Sequence, residues 1–180
     1  MVAVLEVKLR KAEPKDAAAL GHIQVTSWRS AFRNIASDNF LDHMVSEENQ
    51  TEDWKEILAE KDPVIFVAEL AKAPVGYAWA QLEDDKSVEW DAELVSMHIL
   101  PEHKRQGIGR KLFAVTVAHL KRQGCKSIYL WVLEENHPAR KFYEALGGRP
   151  AGKHTIKLGD RELTEVAYDW KDMSQLEIRE

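Results

Sequence analysis

From Val2 to Arg10 the apolar residues Val2, Val4, Val7 and Leu9 interleave with charged ones, with the register slipping at Leu5, and this alternation predicts a first strand. Glu13-Pro14-Lys15-Asp16 is an acidic, proline-containing helix start, followed by an apolar stripe at Ala17, Leu20 and Ile23. Helical pieces continue from Trp28 to Leu58, with Ser37-Asp38 and Ser46-Glu47-Glu48 as internal caps. The period then changes from 3.6 to 2. Val64–Ala68 reads as a strand, Ala71–Pro74 as a turn and Val75–Ala80 as the returning strand. After the polar turn Glu83–Ser87 comes a strand from about Val88 to Ile99. A helix then starts near Gly107 and stops at Gly124. Ile128–Leu133 is a strand, Pro138–Leu146 a helix ended by Gly147-Gly148, and Thr155–Trp170 a hairpin turning at Gly159-Asp160. The order β, α, α, three antiparallel strands, α, β, α, β, β predicts a mixed α/β domain with one sheet and helices on its faces. Residues 1–172 form this single domain, and 173–180 read as a polar, frayed tail.

Composition narrows the picture. With 180 residues, 44% hydrophobic and 31% charged, the chain suits one core without staples. A net charge of −5 argues against nucleic acid as the main partner, because phosphate binding needs clustered Lys and Arg. The lone Cys125 allows no internal disulfide. It follows Gly124 at a helix end, which suits a structural thiol rather than a nucleophile. The seven histidines lack metal-ligand spacing, so no metal is expected. With no apolar signal core and no apolar run of membrane-spanning length, the expectation is a soluble cytoplasmic protein that does not bind membranes.

The chemistry concentrates between Glu93 and Arg110, where a strand leads through a basic, glycine-containing loop into a helix. The first turn of a helix offers N–H groups without intrahelical partners and the positive end of the macrodipole. Gly107 and Gly109 let a phosphate approach the backbone, and Lys104, Arg105 and Arg110 favour an anion. The loop therefore reads as a phosphate or pyrophosphate cradle. It is not a dinucleotide fingerprint, since Leu112 stands where the third glycine belongs. Nor is it a P-loop, since Gly-Arg-Lys-Leu replaces Gly-Lys-Ser/Thr.

Downstream lies Asn136-His137-Pro138-Ala139-Arg140-Lys141-Phe142-Tyr143-Glu144-Ala145-Leu146-Gly147-Gly148. Together with Lys104–Gly109, this Asn-x-x-Ala-x-x-x-Tyr-x-x-x-Gly stretch resembles the GNAT superfamily of acyl-CoA-dependent N-acetyltransferases. The likeness includes the Val64–Ala80 hairpin and so spans most of the chain. Two departures are Lys104, where the family has Arg or Gln, and Arg149 after Gly148.

The resemblance implies a central, mostly antiparallel sheet of six or seven strands splayed at the cofactor site, flanked by about four helices. It implies acetyl-CoA as cosubstrate. The backbone of Met97, His98 and Ile99 would meet the pantetheine arm, and Lys104, Arg105, Gln106, Gly107, Ile108, Gly109 and Arg110 the pyrophosphate. Asn136 matches a cofactor-contacting position and equally suits a helix cap. Tyr143 matches the general acid that protonates the departing thiolate, against a plain core aromatic. Glu93 matches a general-base position, against a solvated acidic edge. In a regular strand it shares the face of Ile99, while a bulge alters this. Glu89 and Asp91 could act instead through a water chain. The segment from Trp28 to Phe40-Leu41 looks like that of bacterial small-molecule members, some acting on polyamines. The expected reaction is direct acetyl transfer to a primary amine such as a polyamine, amino acid or antibiotic-like amine. Peptide N-terminal or lysine acetylation, a non-catalytic acyl-CoA-binding module and a different nucleotide-binding protein are the rivals. The resemblance also allows a homodimer.

Overall fold

A computed structural model describes residues 6–178. Seven strands form one sheet in the order β1-β2-β3-β4-β5-β7-β6. They are β1 (Lys8–Lys11), β2 (Val64–Leu70), β3 (Ala73–Leu82), β4 (Ala92–Ile99), β5 (Ile128–Leu133), β6 (Arg149–Leu158) and β7 (Arg161–Trp170). Among the described residues four α-helices cover it: α1 (Ala17–Ala31), α2 (Glu47–Leu58), α3 (Ile108–Arg122) and α4 (His137–Ala145). The element order agrees with the periodicity reading. All neighbouring strands pair antiparallel except β4 and β5, which are parallel and meet in register only at Glu93 and Tyr129.

Each element follows from its residues. Pro14–Asp16 forms a 3₁₀ turn in which the Glu13 N–H donates to Asp16 Oδ2 at 2.7 Å, and α1 continues from there. The same carboxylate receives two bonds from Arg10, whose Nε also reaches Glu69, so β1, β2 and the start of α1 share one ion cluster. Ser46 caps α2 by accepting from the Asn49 N–H. On α3, Ile108, Leu112, Phe113, Val117 and Leu120 recur on one face and are buried against the sheet. Each such side chain contributes about 1.5–3 kcal/mol by leaving water.

Three boundaries depart from expectation. β4 begins at Ala92 rather than Val88, because a turn over Asp85–Val88, closed by the Val88 N–H to Asp85 O, runs on into irregular backbone up to Asp91. β6 begins at Arg149, six residues early. Pro150 is tolerated because β6 is the sheet edge, and the register shifts between Pro150 and Gly152. The tail is not frayed at its start: Met173 is buried and its N–H donates to Lys126 O at 2.7 Å. The expected strand residues Val2 and Val4 lie outside the described residues, as do residues 179 and 180 of the tail. Among the described residues no helix is long and apolar enough to cross a membrane.

Candidate active site

Two faces of the sheet meet at the opening between β4 and β5. On β3, Gly76 approaches Ile99 and Leu112, so the phase holding Gly76, Ala78, Met97 and Ile99 faces α3. The other phase holds Tyr77, Trp79, Ser96 and His98 and faces α1 and α2. There the Tyr77 hydroxyl bonds Gln24, and Trp54 packs edge-on against both Tyr77 and Trp79. Between Trp79 and Ala80 the register slips by one residue, leaving Val95 as a bulge on β4. Gln81 then pairs with Glu93, so Glu93 lies on the α1/α2 face with Ser96 and His98. It does not share the face of Ile99, as a regular strand requires.

Past the Glu93–Tyr129 pair, β4 has no ladder partner on its β5 side among the described residues. The backbone of Met97–Ile99 therefore presents peptide groups to the opening. The His98 ring points the other way. Its Nε2 accepts from the Trp28 indole N–H at 3.0 Å, and its Nδ1 lies 3.2 Å from Ser27 Oγ. Burial, with the Lys104 charge adding to it, pushes its pKa down to about 3, so the ring stays neutral and fixes Trp28. Trp28 in turn packs beside Phe32 and Phe40, giving an aromatic wall on the α1 side.

The loop before α3 has an open backbone. Gly107 caps α3 with φ at +81°, a left-handed conformation that favours glycine, and Arg105 is also left-handed at +63°. No side chain caps the helix, so its first N–H groups are left for a ligand. An added Cβ at Gly107 meets nothing within 4 Å, so the space above the loop is open. Gly109 is different: its added Cβ would meet Phe142 at 3.2 Å and Ile99 at 3.3 Å. That glycine admits α4 rather than a phosphate. Lys104 is half-buried, which lowers its pKa, while Arg105 and Gln106 are exposed, with Gln106 donating to Glu102 O. Ile108 is buried in the core, and only its backbone remains for the cradle. The uncapped N–H groups, the open space and the nearby cations fit the pyrophosphate of coenzyme A.

Asn136 caps α4, accepting from the Ala139 N–H at 3.3 Å. Tyr143, on α4, is 8% exposed and stands edge-on to Phe142 and Trp170. Among the described residues its hydroxyl has no hydrogen-bond partner, and burial raises its pKa, so the phenol stays protonated. Trp170 also packs on Phe113 of α3, so Tyr143 lies on the α3 face. Tyr143 and Glu93 thus belong to opposite faces of the sheet and are not in direct contact.

Around Glu93 the lining is acidic. Burial raises its pKa, the Tyr129 hydrogen bond opposes that, and the charges of Glu83 and Glu165 add to it. The Tyr129 hydroxyl lies 3.3 Å from Glu93 Oε2 and 3.2 Å from Glu83 Oε2. Glu165 pairs with His154, whose ring stacks on Trp131 at 3.8 Å. Asp91 is otherwise engaged: it accepts from the N–H groups of Lys126 and Ser127, which hold its carboxyl below the usual range. Glu89 is exposed and paired with Lys171. Tyr129 and Glu165 carry no local sequence signal as site residues, and Glu83 reads only as part of a polar turn, because cross-strand pairing alone brings them there. Cys125 is half-buried, and burial followed by the Asp91 charge raises its pKa, which suits a structural thiol.

Comparisons with known proteins agree with this fold. The profile of the acetyltransferase (GNAT) family matches residues 25–148. An uncharacterized N-acetyltransferase, YuaI of Bacillus subtilis, is 29% identical over 172 residues, covering 94% of this chain and 96% of that protein. A mycothiol acetyltransferase of Thermomonospora curvata is 29% identical over 121 residues, covering 66% of this chain but only 39% of its own length. The crystal structure of the paia N-acetyltransferase of Thermoplasma acidophilum in complex with coenzyme A superposes with a TM-score of 0.70. It is 19% identical and covers 89% of this chain and 98% of that one. With the splayed sheet, the uncapped loop before α3 and the family profile in agreement, the chain belongs to the GNAT family and is an acetyl-CoA-dependent N-acetyltransferase.

Proposed function

We propose that the protein transfers acetyl from acetyl-CoA directly to a primary amine of a small cationic molecule, with both substrates bound together. Acetyl-CoA, when bound, supplies an activated acyl group and a thiolate leaving group. The residues of this chain would do the rest. The uncapped first turn of α3, with Lys104, Arg105 and Arg110 around it, would hold the pyrophosphate. The backbone of Met97, His98 and Ile99 would align the pantetheine arm along the free edge of β4.

An alkylammonium has a pKa of roughly 10 and no lone pair, so it must lose a proton before attack. Glu93 is the proposed base. Its half-burial raises its proton affinity, and the neighbouring Glu83 and Glu165 attract a cation to the same place. From the opposite face Tyr143 is the proposed acid. Its unbonded, protonated hydroxyl is free to donate to the departing sulfur. The observation that carries the reading is this arrangement of a carboxylate and a free phenol on opposite faces of one opening in the sheet.

The closed acceptor side supports a small acceptor. At the tip of the β6–β7 hairpin, Gly159 sits against Phe40, Ser37 donates to Asp160, and Arg161 donates to Ile35 O at 2.9 Å. The hairpin is thereby pinned to the connection between α1 and α2, an obstacle to an extended peptide crossing the sheet.

The test is thiol release from acetyl-CoA in the presence of spermidine, aminoglycosides, amino acids or short peptides. Release with a small cationic amine is the expected result. Release only with peptides overturns the small-molecule reading, and coenzyme A binding without release from any amine overturns the catalytic one.

A further inference from the structure

With Glu93 as the base, turnover returns it to its carboxylate form each cycle, yet Glu93 is half-buried and a bound acceptor would stand before it. Two groups offer another route for its proton. Tyr129 of β5 is 8% exposed, and its hydroxyl stands between Glu93 Oε2 at 3.3 Å and Glu83 Oε2 at 3.2 Å. A phenol carries one proton, so it donates to one carboxylate at a time and faces the other as an acceptor. Glu83, just past β3, is only partly buried. Its Oε1 accepts from the Asp85 N–H at 3.0 Å, which turns Oε2 towards Tyr129.

Among the described residues the surroundings add no cation to this trio. Glu93 meets Tyr129 from β5, Glu83 from beyond β3 and Glu165 from β7, and Glu165 is paired with His154. Tyr129 packs on Trp90 with ring centroids 4.8 Å apart. Its ladder partner Asp169 accepts from the Trp90 indole N–H. Neither Glu83 nor Glu93 forms a salt bridge among the described residues.

We propose that Glu83, Tyr129 and Glu93 form a proton relay, through which the proton taken from the amine at Glu93 leaves by way of the Tyr129 hydroxyl to Glu83 and then to water. The proton on Glu93 Oε2 passes to the phenol oxygen as the phenol's own proton passes to Glu83 Oε2. One O–H bond breaks and one forms at each transfer. The phenol is neutral before and after, and Glu83 releases the proton to solvent. This rests on Glu93 being the base. Tyr129 and Glu83 are positioning residues that act through it.

The two carboxylates are at most about 6.5 Å apart, since both contact one hydroxyl. At that separation a charge displaces its neighbour's titration by about 0.5 to 2 pH units. The experiment follows the Glu93 carboxyl by 13C NMR in glutamate-labelled protein across pH. Glu83→Gln removes a repelling charge and is expected to move the Glu93 titration down by that amount. Tyr129→Phe removes a donor to the carboxylate and is expected to move it up. A Glu93 titration unchanged in both variants overturns the relay, whatever the acceptor is.

Thermal unfolding checks that both variants fold. In turnover of spermidine, or of whichever amine in the panel supports thiol release, Tyr129→Phe is expected to lower plateau kcat by roughly tenfold. The acid limb of kcat/KM is expected to move with the NMR titration in both variants. Plateau kcat equal to wild type in Tyr129→Phe also overturns the relay. A separate arm, Glu93→Gln, reports on the base: if its acid limb persists, the base assignment fails, even where the titrations are coupled.

Discussion

Replacing Tyr143 with phenylalanine separates chemistry from stability more cleanly than any other change in this chain. The ring is 8% exposed and packs on Phe142 and Trp170, and both contacts survive the substitution. The hydroxyl has no partner among the described residues, so no hydrogen bond within the protein is lost. The stability change should therefore lie within about 1 kcal/mol of zero. For a chain of this length that is a Tm shift of no more than about 4 °C. Activity should respond very differently. A general acid contributes roughly 100- to 10,000-fold, so kcat should fall by at least about 100-fold while the Kd for acetyl-CoA stays within about twofold. Chemical denaturation, calorimetric titration of acetyl-CoA and a thiol-release assay read the three quantities on one preparation. Wild-type turnover would remove Tyr143 from the mechanism. A loss of more than about 2 kcal/mol would instead show that the hydroxyl is structural.

Three further outcomes follow from other parts of the molecule. Gly107→Ala forces a left-handed residue at no steric contact. It should cost about 1 kcal/mol and weaken coenzyme A binding, whereas Gly109→Ala crowds Phe142 and should affect stability more than affinity. Equal affinity losses, measured by calorimetry, would contradict that division. Glu93 has a raised folded-state pKa, so its contribution to stability is present at low pH and lost as pH rises through that value. Glu93→Gln should therefore stabilise the protein above neutrality and abolish the acid limb of kcat/KM, which a pH series of melts and rates would check. Burial opposes the Asp16 carboxylate, but Arg10 and the Glu13 N–H outweigh it and hold its pKa down. Its contribution is thus present above the unfolded value near 4 and lost as pH falls. Asp16→Asn should cost roughly 3 kcal/mol at neutral pH by denaturation, and much less near pH 3.

What the sequence made legible is what local rules determine. The glycine loop, the caps at Ser46 and Asn136 and the Gly159-Asp160 turn depend on a few consecutive residues, and each is found where it was expected. Elements whose limits depend on partners were read less well. β6 extends back to Arg149 because β7 offers it a ladder, despite a proline and a glycine that argue locally against a strand. Gly109 looked like a phosphate contact because Gly-x-Gly is a phosphate signal. Its neighbour Phe142 lies 33 residues away in sequence and on another helix. Glu83, Tyr129 and Glu165 come from three different strands or their ends, and only the sheet order brings them to Glu93.

The face of Glu93 turns on whether β4 is regular or bulged, and the sequence holds a usable signal for the bulge. Ala92 and Leu94 are buried, and their side chains take the α3 phase with Ala80. Met97 and Ile99 take that same phase further along, against Ala78 and Gly76. Apolar positions at 92 and 94 followed by 97 and 99 cannot share one face of a regular strand, because the spacing changes parity at Val95. The strand must absorb one extra residue to bury both pairs, and a bulge is the way a strand does so. The same extra residue turns Glu93 onto the α1/α2 face, beside Ser96 and His98 and against Tyr129. Core packing and placement of the proposed base are thus met by a single irregularity. Parity of the apolar positions, rather than distance from Ile99, is the reading that would have found it.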